Sequence, residues 1–103
     1  MPIPVTVRLA EGSPQPVDRG KGSFTGTYEI TPRVSAEMMT RLAAAVRARV
    51  YPAWLDGSPQ VRNRTGEPCT YVQVPFTINR YAADAQCVAE AIRALVGHAV
   101  GSC

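Results

Sequence analysis

The side chains best suited to chemistry are few and far apart. His98 is the single histidine, and cysteines stand at 69, 87 and 103. On an ideal helix His98 and Cys87 project to the same side, but their separation along the axis is roughly 16 Å, too far for a thiolate–imidazole dyad. The cysteines are odd in number, widely spaced and without a CxxC pair. Neither a disulfide framework nor a structural zinc site is expected from them. The expectation is free thiols, buried at Cys69 and Cys87 and in the tail at Cys103. The acids Glu11, Asp18, Glu29, Glu37, Asp56, Glu67, Asp84 and Glu90 are scattered, and most sit where turns and helix caps want them. No HxxxH, HExxH, DxD or GxSxG pattern occurs. The run Arg19-Gly20-Lys21-Gly22-Ser23 invites a phosphate-loop reading, but GxxxxGK[ST] would need glycine at Gln15 and Ser or Thr at Gly22. No cofactor, metal or catalytic residue is expected, and an enzyme is the less favoured class.

Charge offers a second route to function. The formal net charge is +3, carried by ten arginines and one lysine against eight acids. That balance allows nucleic-acid binding without requiring it, since a strong case needs a pronounced basic cluster. The Arg-over-Lys bias, with abundant Ala, Val, Gly and Pro, points to a gene of high GC content in a bacterium or one of its phages. The candidate interaction surface combines Arg8, Arg62, Arg64, Tyr71 and Gln73, which strand alternation places on one outward sheet face, with Arg19 and Lys21 at a loop tip. Sheets that bind single-stranded nucleic acid commonly stack about two or three bases on aromatics. Here Tyr71 is the one outward aromatic, and no RNP-like run is present.

These side chains are positioned by a chain organised around residues 34–54. Ser35 is a good N-cap, Val34 and Met39 occupy the two positions of a hydrophobic staple, and Glu37 lies in the first turn where the helix dipole favours an acid. Met38, Met39, Leu42, Val46 and Val50 recur at steps of three and four and make one apolar stripe. Pro52 should end this helix near Val50, with Tyr51 and Trp54 closing the core at that end. Before it, residues 3–10 alternate as a half-buried strand, residues 11–22 form a Pro/Gly loop, and residues 23–31 alternate again. After it come a weaker strand over 60–65, a turn at Gly66, and the strongest strand over 69–79. Pro75 places part of that strand on an edge or at a bulge. A second helix over 80–100 starts at Asn79 or Asp84 and ends at Gly97.

The order β-β-α-β-β-α predicts one α+β domain over residues 1–103. It is a two-layer sandwich of a four-stranded, mainly antiparallel sheet with two helices on one face. The loop 11–22 is expected to be flexible and the tail 100–103 frayed; a ferredoxin-like arrangement is the alternative should the first hairpin not form. The run Leu42–Pro52, LAAAVRARVYP, resembles the helix and RVYP-type turn of phage tail-completion proteins over roughly a quarter of the chain, although the N-terminal hairpin departs from their order. The resemblance implies assembly. No apolar run approaches the roughly 20 residues a membrane span needs, and the N-terminus lacks the pattern of a secretory signal, so a cytoplasmic protein is expected. The functional expectation is a non-enzymatic protein-interaction or assembly module, self-associating or bound to a protein partner through the open face, an edge strand or the 11–22 loop. A nucleic-acid-binding protein is the alternative.

Overall fold

A ring of hydrogen bonds at the start of the first helix fixes the relation between helix and sheet. Helix α1 spans Ala36–Arg49, and Ser35 caps it by accepting from the Met38 amide at 3.2 Å. Just before the cap, the Val34 amide donates to Thr70 Oγ1 at 2.9 Å. The Thr70 hydroxyl donates in turn to Asn63 Oδ1. Asn63 Nδ2 closes the ring on the Val34 carbonyl at 3.0 Å and also reaches the Met39 sulfur. Thr70 is fully buried, so the ring satisfies polar groups that water cannot reach. The computed structural model that shows this arrangement describes residues 5–17, 22–78 and 84–102.

The architecture is the expected α+β two-layer sandwich. Strands β1 (Thr6–Leu9), β2 (Gln15–Pro16), β3 (Ser23–Thr31), β4 (Gln60–Asn63) and β5 (Thr70–Thr77) form one sheet in the order β1-β3-β5-β4, with β2 also on β3, and every pairing is antiparallel. Helix α1 lies over β4, and α2 (Ala85–Ser102) lies over β1 and β3 and beside α1. The inward residues follow the predicted alternation. Tyr28 and Ile30 of β3, and Val72, Val74 and Phe76 of β5, are buried against Leu42, Val46, Val88, Ala89, Ile92 and Val96 of the helices. One face of the sheet is therefore covered and, among the described residues, the other is bare of helices.

The largest departure is in the first hairpin. The 11–22 segment is not all loop, because Gln15–Pro16 adds a fifth strand and the Val17 amide donates to the Ser23 carbonyl at 2.9 Å. Two prolines are tolerated there because alternation turns Gln15 and Val17 toward β3 and leaves Pro14 and Pro16 facing the outer edge, where no amide is needed. Between the Leu9–Tyr28 and Gln15–Thr25 pairs the outer chain spends five residues against two of β3. The Ser13 hydroxyl fills the gap by accepting from the Thr27 amide at 3.1 Å. Residues 18–21, with the expected loop-tip residues Arg19 and Lys21, lie outside the described residues.

Other expectations met particular physical limits. Pro75 does sit at an edge: β4 ends at the Gln60–Gln73 pair, and beyond it the Pro75 carbonyl accepts from the Asp56 amide. Helix α1 ends at Val50 before Pro52, and a 3₁₀ turn follows at Pro52–Trp54. Trp54 packs on the core, but Tyr51 is 63 % exposed and meets Trp54 only edge-on, so it does not close the core. Asp84 starts α2, its carboxylate accepting from the Cys87 amide at 2.7 Å; the alternative start at Asn79 lies outside the described residues. Gly97 does not end α2. The helix runs on to Ser102 because Ala99 and Val100 continue the buried stripe. Of the thiols, Cys69 is buried and Cys87 is exposed, since Cys87 lies off that stripe; Cys103 lies outside the described residues.

Tyr28 shows why Gly26 is glycine. The tyrosine ring lies back along its own strand, so a Cβ at position 26 would stand 2.8 Å from the Tyr28 hydroxyl. That hydroxyl donates to the Ala89 carbonyl of α2 at 2.8 Å and ties helix to sheet across the core. Two stability predictions follow from these contacts. Thr70→Val keeps the shape but strands the Val34 amide, and should cost about 1–3 kcal/mol in urea unfolding. Gly26→Ala should cost about 1–3 kcal/mol by overpacking. Adding Tyr28→Phe to Gly26→Ala should recover part of that loss, because the atom nearest the new Cβ is removed; strictly additive losses would refute the clash.

Candidate functional site

The helix-free face brings together the five described members of the candidate surface. A single cross-strand row runs Arg8, Glu29, Tyr71, Arg62 over β1, β3, β5 and β4, each residue paired in register with the next. Gln73 and Gln60 sit one step along, opposite Thr27. Arg64, in the turn after β4, lays its guanidinium over the Tyr71 ring at 4.7 Å from the centroid. The alternation of β1 and β5 was enough to place Arg8, Tyr71 and Gln73 on this face. It was not enough to show that Glu29 pairs with Arg8, which requires the β1–β3 register.

That register changes the electrostatics of the face. Arg8 is bound to the Glu29 carboxylate, and the partnership raises the pKa of Arg8 further. Arg62 donates to the Gln60 amide oxygen, and Arg64 is spread on an aromatic ring. Of these three charges only that of Arg8 is neutralised; Arg62 and Arg64 keep theirs, with their guanidinium planes held in place beside Tyr71. Two shallow depressions interrupt the face. One of about 310 Å³ is lined by Thr6, Arg8, Glu29 and Thr31, and one of about 160 Å³ by Thr25, Ser58, Gln60, Gln73 and Pro75. Both are open troughs between rows of side chains.

Tyr71 is the most perturbed group on this face. Its pKa is pushed up to about 12, first by its hydrogen bond with the Cys69 side chain, then by desolvation, and further by Glu67 and Glu29 nearby. Tyr28, on the opposite face, is also held protonated well into alkali, in its case mainly by burial. Among the described residues, no group of three or more His, Cys, Asp or Glu could hold a metal ion, and no helix is long and apolar enough to cross a membrane. His98 is exposed on α2, the helix that covers the other face of the sheet.

No known family, curated protein or solved structure matches the chain. What this face does must therefore be argued from its own chemistry.

The Tyr71–Cys69 contact is open to direct test. In an absorbance titration of the phenolates, a step at about 12 should disappear in Tyr71→Phe. Cys69→Ala should bring that step down toward the ordinary value of 10.0, since the strongest influence is removed. A step that stays in place in Cys69→Ala would show that desolvation and the carboxylates carry the shift.

Proposed function

We propose that the chain is a non-enzymatic protein-interaction or assembly module that works through the helix-free side of its sheet. One observation carries this reading: both helices cover the same face, and the other face presents a broad, shallow surface of Arg, Gln, Thr and Tyr side chains. Flat surfaces with hydrogen-bonding rows and an Arg–aromatic pair suit protein contacts, where Tyr and Arg are, with Trp, the residues enriched at energetic centres. The troughs are too open to enclose a small substrate, which enzymes bury in clefts.

A second reading keeps one specific observation in its favour. Arg64 over Tyr71, with Arg62 beside it, could bracket a base of single-stranded nucleic acid. Against it stand Tyr71's isolation as the one aromatic of the face among the described residues and the pairing of Arg8 with Glu29.

Salt separates the two. The protein-interaction reading expects self-association, measured as absolute mass by light scattering, to persist between low and high salt. The nucleic-acid reading expects tight binding of oligo-dT that weakens steeply as salt rises, as counterion release requires. In that case Arg62→Ala with Arg64→Ala should abolish the binding. Salt-labile oligo-dT binding lost in that double variant, by a chain that stays monomeric, would overturn the first reading in favour of the second.

A further inference from the structure

The sheet has two lateral edges, and they are not equally protected. On one side β4, four residues long like β1, runs into a turn at Arg64–Glu67, and past its Gln60 end the Asp56 amide covers the Pro75 carbonyl of β5. On the other side the edge changes character along its length. In the β2 half, Pro14 and Pro16 occupy the outward positions and offer no amide. In the β1 half, the Ala10 amide donates to the Thr27 carbonyl at 2.8 Å. Strand alternation then turns Thr6, Arg8 and Ala10 toward β3, and leaves the backbone groups of Val5, Val7 and Leu9 pointing away from the sheet. No described strand pairs with that side of β1. The side chains of Val7 and Leu9 pack on the core, while Val5, at the end of the row, is 50 % exposed. Free backbone donors beside an exposed β-branched residue form the kind of edge that pairs with another chain unless it is blocked.

We propose that the outer edge of β1 pairs antiparallel with the same edge of a second copy, about a two-fold axis at Val7, joining the two sheets into one. This rests on the assembly reading above and names its partner. A second copy is favoured because the strand is self-complementary about Val7. In that register Val5 of one copy stands opposite Leu9 of the other, and Val7 opposite Val7, so the exposed Val5 gains an apolar neighbour on the helix side. On the open face, Thr6 stands opposite Arg8. The two Arg8 residues are diagonal and not directly opposite, and each keeps its own Glu29, so no pair of like charges stands face to face across the seam. The axis lies perpendicular to the sheet, so both pairs of helices fall on one side and the two helix-free faces merge into one wider surface. The turn closed by the Ser13 amide on the Ala10 carbonyl ends the pairing just past Leu9.

Two substitutions and one exchange measurement test this. Val7→Pro removes an amide that β3 does not use, a position where an edge strand tolerates proline. Val5→Lys places a charge at the seam on a half-exposed side chain, and decides the matter should Val7→Pro fail to fold. The native chain is expected to show twice the monomer mass in sedimentation equilibrium, and both variants the monomer mass with unchanged far-ultraviolet circular dichroism. In hydrogen exchange, the Val7 and Leu9 amides should slow as the protein concentration rises. A dimer that persists in both folded variants would overturn the edge pairing, while leaving the assembly reading to another surface. A native chain that is monomeric at every concentration, with both amides exchanging freely, would overturn it as well and would also remove self-association from that reading.

Discussion

The ring formed by Val34, Asn63 and Thr70 is the constraint on which the rest of the arrangement depends. It joins the residue before the α1 cap to both strands of the β4–β5 hairpin, three pieces that sequence separates by a helix and two turns. The threonine hydroxyl accepts from Val34 and donates to Asn63, and the asparagine amide closes the ring by donating to the Val34 carbonyl. A partly buried network of this kind favours one docking of helix on sheet, because a shift of one residue would leave several groups without partners. With α1 fixed over β4, the space above β1 and β3 is left for α2, and the Tyr28 hydroxyl anchors α2 there through the Ala89 carbonyl. Both helices are committed to one face by polar contacts as much as by the apolar stripe.

Much of this was legible in the sequence, and the reasons for the gaps are physical. Steps of three and four in Met38, Met39, Leu42, Val46 and Val50 revealed α1, and Ser35 its start, because periodicity and capping are local properties. The alternation in 70–77 revealed which side of β5 is buried. What alternation cannot carry is register. The pairing of Arg8 with Glu29 and the role of Thr70 depend on residues 21 and 36 positions away in the chain. The extent of the 11–22 loop failed for a subtler reason. Pro14 and Pro16 forbid a strand only if their amides are needed, and at an outer edge they are not. Gly97 likewise signals a helix end only when no buried side chain follows it, and Ala99 and Val100 do follow. The candidate surface was half legible: its members on β1, β4 and β5 were placed by alternation, but the neutralisation of Arg8 by Glu29 was not.

That neutralisation bears on what kind of surface this is. An isolated guanidinium in water is a strong, long-range attractor of phosphate. One held against a carboxylate is neutralised and loses much of its far field, whereas one held against an amide oxygen or an aromatic ring keeps its charge and has only its orientation fixed. Arg8 is of the neutralised kind, while Arg62 and Arg64 keep their charge with their planar groups held in place. Surface ion pairs add little to stability, so the Arg8–Glu29 pair is better understood as fixing a pattern of donors and acceptors on the open face than as supporting the fold.

The edges and the face are linked by the same geometry. Because Arg8 turns its backbone toward β3 and its side chain onto the open face, its neighbours Val7 and Leu9 must turn their backbones outward and their side chains toward the helices. Pairing at the β1 edge would leave every member of the Arg8–Arg62 row uncovered and bring two such rows into one sheet. Self-association at the edge and recognition at the face are then compatible: the first uses backbone groups in the plane of the sheet, the second side chains above it. The period of two that separates core from surface along each strand also separates these two surfaces, so a substitution that blocks one can leave the other intact.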